Sequence, residues 1–240
     1  MNDITETAAG ATANGKVIIA GTGRAGTTVL VRALSKLGAD TGFGGDERGT
    51  FVESARAGFE RNPLAADAPR IVKNPAFSDR IGPLLDAGEL AVEHVIVPMR
   101  DLEIATASRL RVSDYGARRG VPGGVFGTRK ATDQRQVLAD NFYQLVWACV
   151  RHDVPMTFLE FPRFAIDADY LHAAVGWLTP DRTVDEYRTV LGELVDESLI
   201  TETPLSIDEQ RKLRRRSLRY TIIGRPQAHL RARFGRAKRP

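Results

Sequence analysis

The chain has 240 residues, 42% hydrophobic and 27% charged, the composition of a soluble globular protein long enough to bury a proper core as one domain. No apolar run approaches the roughly 20 residues that span a bilayer, the single Cys149 leaves no internal disulfide, and no His or Cys pair has zinc spacing. The formal charge of +4 conceals an asymmetry: residues 207–240 hold 12 Lys/Arg against Asp208 and Glu209, a balance of +10, and the remainder holds 22 basic against 28 acidic residues, a balance of −6.

Residues 1–14 are small and polar and are expected to be disordered. They carry no basic n-region or apolar h-region, so no secretory signal is expected, and a cytoplasmic location fits this and the lone cysteine. The stretch Lys16 to Gly38, KVIIAGTGRAGTTVLVRALSKLG, then reads as three pieces. Val17-Ile18-Ile19-Ala20 is the pattern of a strand buried on both faces. Gly21, Gly23 and Gly26 make a turn, and Val29, Leu30, Ala33, Leu34 and Leu37 recur at helical spacing up to a C-terminal Gly38. Residues 39–61 read as a loop followed by a short helix from about Ser54. Arg70 to Lys73 reads as a second strand stopped by Asn74-Pro75, residues 78–87 as a helix, 92–99 as a third strand and 101–112 as a helix behind it. Gly116 to Lys130, GARRGVPGGVFGTRK, is glycine-rich and cationic, a candidate substrate lid. A long amphipathic helix over 133–150 carries Cys149 as core filler. A fourth strand covers 155–161, and helices cover 167–178, 183–196 and 206–220. The expected organisation is an N-terminal tail (1–14), one domain (15–205) and a basic C-terminal helical segment and tail (206–240).

Strands alternating with helices predict the α/β class, a parallel central sheet covered on both faces. Ligands of such sheets bind beyond the carboxyl ends of the strands. Arg24, Lys73 and Arg100 all follow strand ends, and three cations at one sheet edge predict a polyanion site. The first loop has the parts for it. Its glycines, Gly23 and Gly26 around Arg24 and Ala25, let backbone N–H groups converge. The following helix adds about half a positive charge, and Thr27 and Thr28 place hydroxyls in its first turn. A Walker A loop reads GxxxxGK[ST]; here GTGRAGTT has Thr27 in the lysine position and its cation at Arg24, which points to an anion other than a Mg-bound triphosphate. In the second motif, HVIVPMRDLEIATASRL, Arg100 and Ser108 are eight residues apart, about two helical turns. They share a face suited to a phosphate monoester.

GTGRAGTT resembles the phosphate loop of sulfotransferases that use 3′-phosphoadenosine 5′-phosphosulfate (PAPS). The strand and helix of MRDLEIATAS resemble their second motif, with Leu102 replacing a proline. The resemblance covers about residues 16–178 and implies a P-loop three-layer α/β/α fold, metal-independent sulfonate transfer and PAPS as donor. It implies Gly23, Arg24, Ala25, Gly26, Thr27 and Thr28 on the phosphosulfate, with Arg100 and Ser108 on the 3′-phosphate. IVKNP resembles a Lys-x-Pro segment that sets Lys73 near the transferring group beside Arg24. LEFPRF after the fourth strand resembles a segment in which Glu160 pins a loop. The histidine that many family members use as base is missing. Others use a glutamate about twenty residues beyond the loop, which makes Glu47 and then Asp46 the candidates, with Glu53 and Glu60 close behind. The acceptor is expected to be a small molecule or carbohydrate with a hydroxyl or amine. No nucleic acid is expected, because the basic tail lacks interleaved aromatics. A Mg-ATP kinase or NTPase and a non-catalytic nucleotide-binding protein are the alternatives.

Overall fold

The structure, a computed structural model, describes residues 15–44, 51–52, 57–112, 124–128, 131–200 and 203–212. Asp46, Glu47, Glu53, most of the candidate lid, the 1–14 segment and the basic residues after 212 lie outside the described residues.

Four parallel strands form the central sheet: β1 (Lys16–Ile19), β4 (Ile71–Lys73), β5 (Val92–Met99) and β6 (Met156–Glu160), in the spatial order β4-β1-β5-β6. A short antiparallel pair, β2 (Phe51–Val52) and β3 (Ala57–Gly58), stands apart from it. The β-branched run of β1 lies in the middle, paired with both β4 and β5, and is buried because its alternate residues serve opposite faces. Val17 and Ile19 join Leu30, Leu34, Leu171 and Tyr187 in one cluster; Ile18 and Ala20 join Ile81, Leu145, Ala148 and Cys149 in the other. Helices α1 (Thr27–Lys36), α6 (Ala168–Val175) and α7 (Val184–Leu194) therefore cover one face, with α2 (Ile81–Asp86) and α4 (Gln134–Arg151) on the other. This is an α/β fold with helices on both sides of a parallel sheet. Cys149 is a buried filler, its thiol pushed up to about 11 by burial.

Within the described residues the sequence-based elements hold with small shifts, and two differences have physical causes. Residues 57–58, placed within the short helix expected from Ser54, form β3, whose Ala57 and Gly58 pair with Val52 and Phe51; residues 53–56 lie outside the described residues. The helix expected over 167–178 is preceded by a separate turn, α5 (Arg163–Ile166); Asp167, extended at φ −113°, stops it and caps α6 by accepting from the Tyr170 N–H. Around residue 206, Arg111, near the end of α3 (Leu102–Val112), donates to the carbonyls of Thr203 and Pro204 and pairs with Glu209 at 3.1 Å. Among the described residues no helix is long and apolar enough to cross a membrane.

Candidate anion site at the sheet edge

The chain order of the four parallel strands places the topological switch between β1 and β5, because β4 lies on one side of β1 and the chain then crosses to the other. Ligands of open α/β sheets sit outside the carboxyl ends at that point. The loop Gly21–Gly26 leaves β1 there and Arg100 leaves β5 there.

Four residues of the six-residue loop have positive φ: Gly21, Gly23 (66°), Arg24 (57°) and Gly26 (74°). Positive φ turns the chain tightly between β1 and α1, a backbone geometry that can bring N–H groups to one side as in anion nests. Glycine is required at 26 on two counts, since a Cβ would add left-handed strain and would lie 2.4 Å from the Phe161 ring. Gly26 is also the N-cap of α1. Among the described residues no side chain caps this helix and no acid sits in its first turn, and its positive end faces the loop. The loop is held from behind by Ser78, whose Oγ accepts from the Gly21 N–H at 3.1 Å.

Arg24 is where the two sequence motifs meet. Its Nε donates to Ser108 Oγ at 3.0 Å, and Arg100 Nη1 donates to the Arg24 carbonyl at 3.2 Å. Ser108 is buried on α3, which starts at Leu102 because Asp101 Oδ1 accepts from the Ile104 N–H. Arg100 lies over the Phe161 ring at 5.0 Å. It forms one wall of a cleft of about 630 Å³ that continues past Phe158, Phe161 and Tyr170 at the ends of β5 and β6. Thr27 is buried at the start of α1 and Ala25 lies in the core beneath the loop.

Lys73 ends β4 beside the loop, as expected, and is only 2% exposed. Its Nζ donates to Thr28 Oγ1 at 3.3 Å, to the Gly58 carbonyl at 2.6 Å and to Glu60 at 2.5 Å. Burial lowers its pKa, the charge and hydrogen bond of Glu60 oppose that, and Arg24 and Arg109 push it down further. Lys73 Nζ is thus sealed behind Thr28, paired with Glu60. Glu60 reaches it because Phe59 takes φ 65°, is buried edge-on against Phe43, and turns the chain back so that the Arg61 N–H donates to the Lys73 carbonyl. Among the described residues Glu60 pairs with Lys73, the lysine beside the loop; Asp46 and Glu47 fall outside them. The loop expected to be pinned by Glu160 is held otherwise: the Glu160 main-chain N–H donates to Tyr170 Oη, and its side chain is exposed.

Two residues were not singled out by sequence reasoning. Glu60 stood among four acids with nothing local to separate it. Arg109 follows Ser108 and is buried under the loop, as are all six residues of Ala105–Leu110; nothing in the sequence separates it from the exposed Arg111 two residues on. Among the described residues no cluster of three His, Cys, Asp or Glu could hold a metal. Comparison with family models, with known proteins and with solved structures finds no match to this chain.

Proposed function

We propose that the chain is a P-loop-type sulfotransferase that transfers a sulfonate from PAPS to a hydroxyl or amine of a small-molecule or carbohydrate acceptor. The observation that carries this reading is the meeting of Arg24, Ser108 and Arg100 at one uncapped helix N-terminus, with a cleft alongside. The residues fit the donor. The Gly21–Gly26 nest and the first turn of α1, with Thr27 and Thr28, suit the phosphosulfate; Arg100 and Ser108 suit the 3′-phosphate. The cleft at Phe161 and Tyr170 offers the nucleoside an apolar wall and an aromatic one. When bound, PAPS supplies an activated sulfonate on a phosphate leaving group.

The chain's own groups then divide the remaining work. Arg24 and the α1 N-terminus neutralise charge developing on the phosphate oxygens, preorganised by Ser108 and Arg100. Lys73, shielded from water, adds a fixed charge through Thr28 and holds Glu60 in place. Glu60 is exposed enough to meet an acceptor and takes its proton at a carboxylate oxygen. Asp46 and Glu47 are candidates for the same proton. Thr27 in the lysine position of a nucleotide triphosphate loop, and Asp101 serving as a helix cap, weigh against a Mg-ATP kinase.

Calorimetric titration tests the reading. The expected result is micromolar binding of 3′-phosphoadenosine 5′-phosphate in EDTA, lost in Arg100→Ala and weakened in Ser108→Ala. Tight Mg-ATP binding with none of the bisphosphate promotes the kinase. Bisphosphate binding with no sulfonate transfer across an acceptor panel leaves a nucleotide-binding protein without catalysis.

A further inference from the structure

Arg109 is 6% exposed and belongs to neither sequence motif's ligand set. Its Nε and Nη2 donate to the Thr22 carbonyl at 3.2 and 2.6 Å, and its Nη1 donates to the Gly124 carbonyl at 2.7 Å. A Cβ on Gly23 would stand 2.3 Å from Nη2, so the guanidinium lies directly against the loop's backbone. Among the described residues every hydrogen bond of Arg109 ends on a main-chain carbonyl, and no carboxylate forms an ion pair with it. A guanidinium this deep, with a second one at Arg24 close enough to repel it, carries a large desolvation penalty. Burial first, and Arg24 second, push its pKa down to about 10, so it stays charged at neutral pH.

The peptide bond turns this into a positioning effect. In a trans amide the carbonyl and the next N–H point in opposite directions. Drawing the Thr22 oxygen toward Arg109 therefore aims the Gly23 N–H away from Arg109.

We propose that Arg109 is a positioning residue of the anion loop: it orients the Gly23 N–H toward the bound anion, and that anion is the counter-charge to its own buried guanidinium. The inference rests on the anion-site reading above and adds to it the dependence of anion affinity on a residue that does not touch the ligand. It also ties the loop to the Gly124–Thr128 segment, which Gln134 clamps to α4 by exchanging hydrogen bonds with the Phe126 main chain.

The test uses the full chain, with 3′-phosphoadenosine 5′-phosphate and inorganic pyrophosphate as separate probes, in wild type, Arg109→Met and Arg109→Lys. The expected result is affinity for both probes about ten- to hundredfold weaker in Arg109→Met, the usual cost of losing a group that orients a ligating one. The Gly23 amide NMR signal that moves on adding pyrophosphate to wild type then stays still. A merely structural arginine would lower the melting temperature of the ligand-free variant and leave affinity and the Gly23 signal as in wild type, which would overturn the proposal. If Arg109→Met does not fold, Arg109→Lys decides: it keeps the charge and loses the fork, and wild-type affinity in it would overturn the positioning role. A wild type that binds neither probe removes the anion-site reading itself, an outcome reached without any variant.

Discussion

Replacing Glu60 by Gln takes the counter-ion from a lysine that is 2% exposed while preserving side-chain volume. Breaking a fully buried ion pair costs about 3–5 kcal/mol and breaking an exposed one about 0–1 kcal/mol. Glu60 is 40% exposed and Lys73 keeps its bonds to Gly58 and Thr28, so the expected loss at neutral pH lies between these limits, at about 2 kcal/mol. The loss depends on pH with a definite sign. Lys73 has a folded pKa below its ordinary 10.5, so between those values the unfolded chain binds the extra proton and stability rises with pH. Removing Glu60 lowers the folded pKa further and extends that window downward. The deficit of Glu60→Gln is therefore largest near neutral pH and shrinks as pH approaches 10.5. Urea unfolding at pH 7 and at pH 10 measures it, and the same substitution in a Lys73→Met background is expected to cost no more than about 0.5 kcal/mol. A loss that is the same at both pH values, or the same with and without Lys73, would refute the pairing as the source. On the proposed function, Glu60→Gln also loses transfer while keeping bisphosphate affinity, since the acid acts on the acceptor.

Gly26→Ala is expected to cost about 1–2 kcal/mol in left-handed strain and about 1–3 kcal/mol more for displacing the Phe161 ring; thermal melts of Gly26→Ala with and without Phe161→Ala separate the two parts. Ser108→Ala deprives Arg24 Nε of its acceptor and is expected to lower stability by about 1 kcal/mol, read by urea unfolding. Glu209, held by Arg111 and the Ser206 main chain, has its pKa lowered to about 2. Its contribution is present above the ordinary carboxylate value of 4.5 and fades as pH falls through about 2. Glu209→Gln should thus be less stable than wild type by under about 1 kcal/mol at pH 7, with much of that difference persisting at pH 4.

Much was legible along the chain because it was local. Val17–Ala20 is too apolar for anything but a doubly buried strand, and the loop that follows concentrates residues that tolerate positive φ. The expectation of cations at the ends of the first three strands followed from the strand order alone. Arg100 and Ser108, placed on one side of the helix by their spacing, both bond Arg24, because helical periodicity is a local property. Where the reading fell short, the deciding contacts were distant in sequence. The pairing of Glu60 depends on the turn at Phe59, which packs on Phe43, and on a lysine from another strand.

By itself, then, the sequence determined the α/β alternation, the strand, glycine loop and helix that open the domain, and the cations that follow the strand ends, because periodicity and backbone tolerance are properties of adjacent residues. Only the tertiary structure decided that Arg24 is clamped between Ser108 and Arg100, that Lys73 is sealed behind Thr28 and paired with Glu60, and that Arg109 lies beneath the loop. Each of these is a charge brought from another element into low-dielectric surroundings, and its partner there is set by how helices and strands pack rather than by its neighbours along the chain.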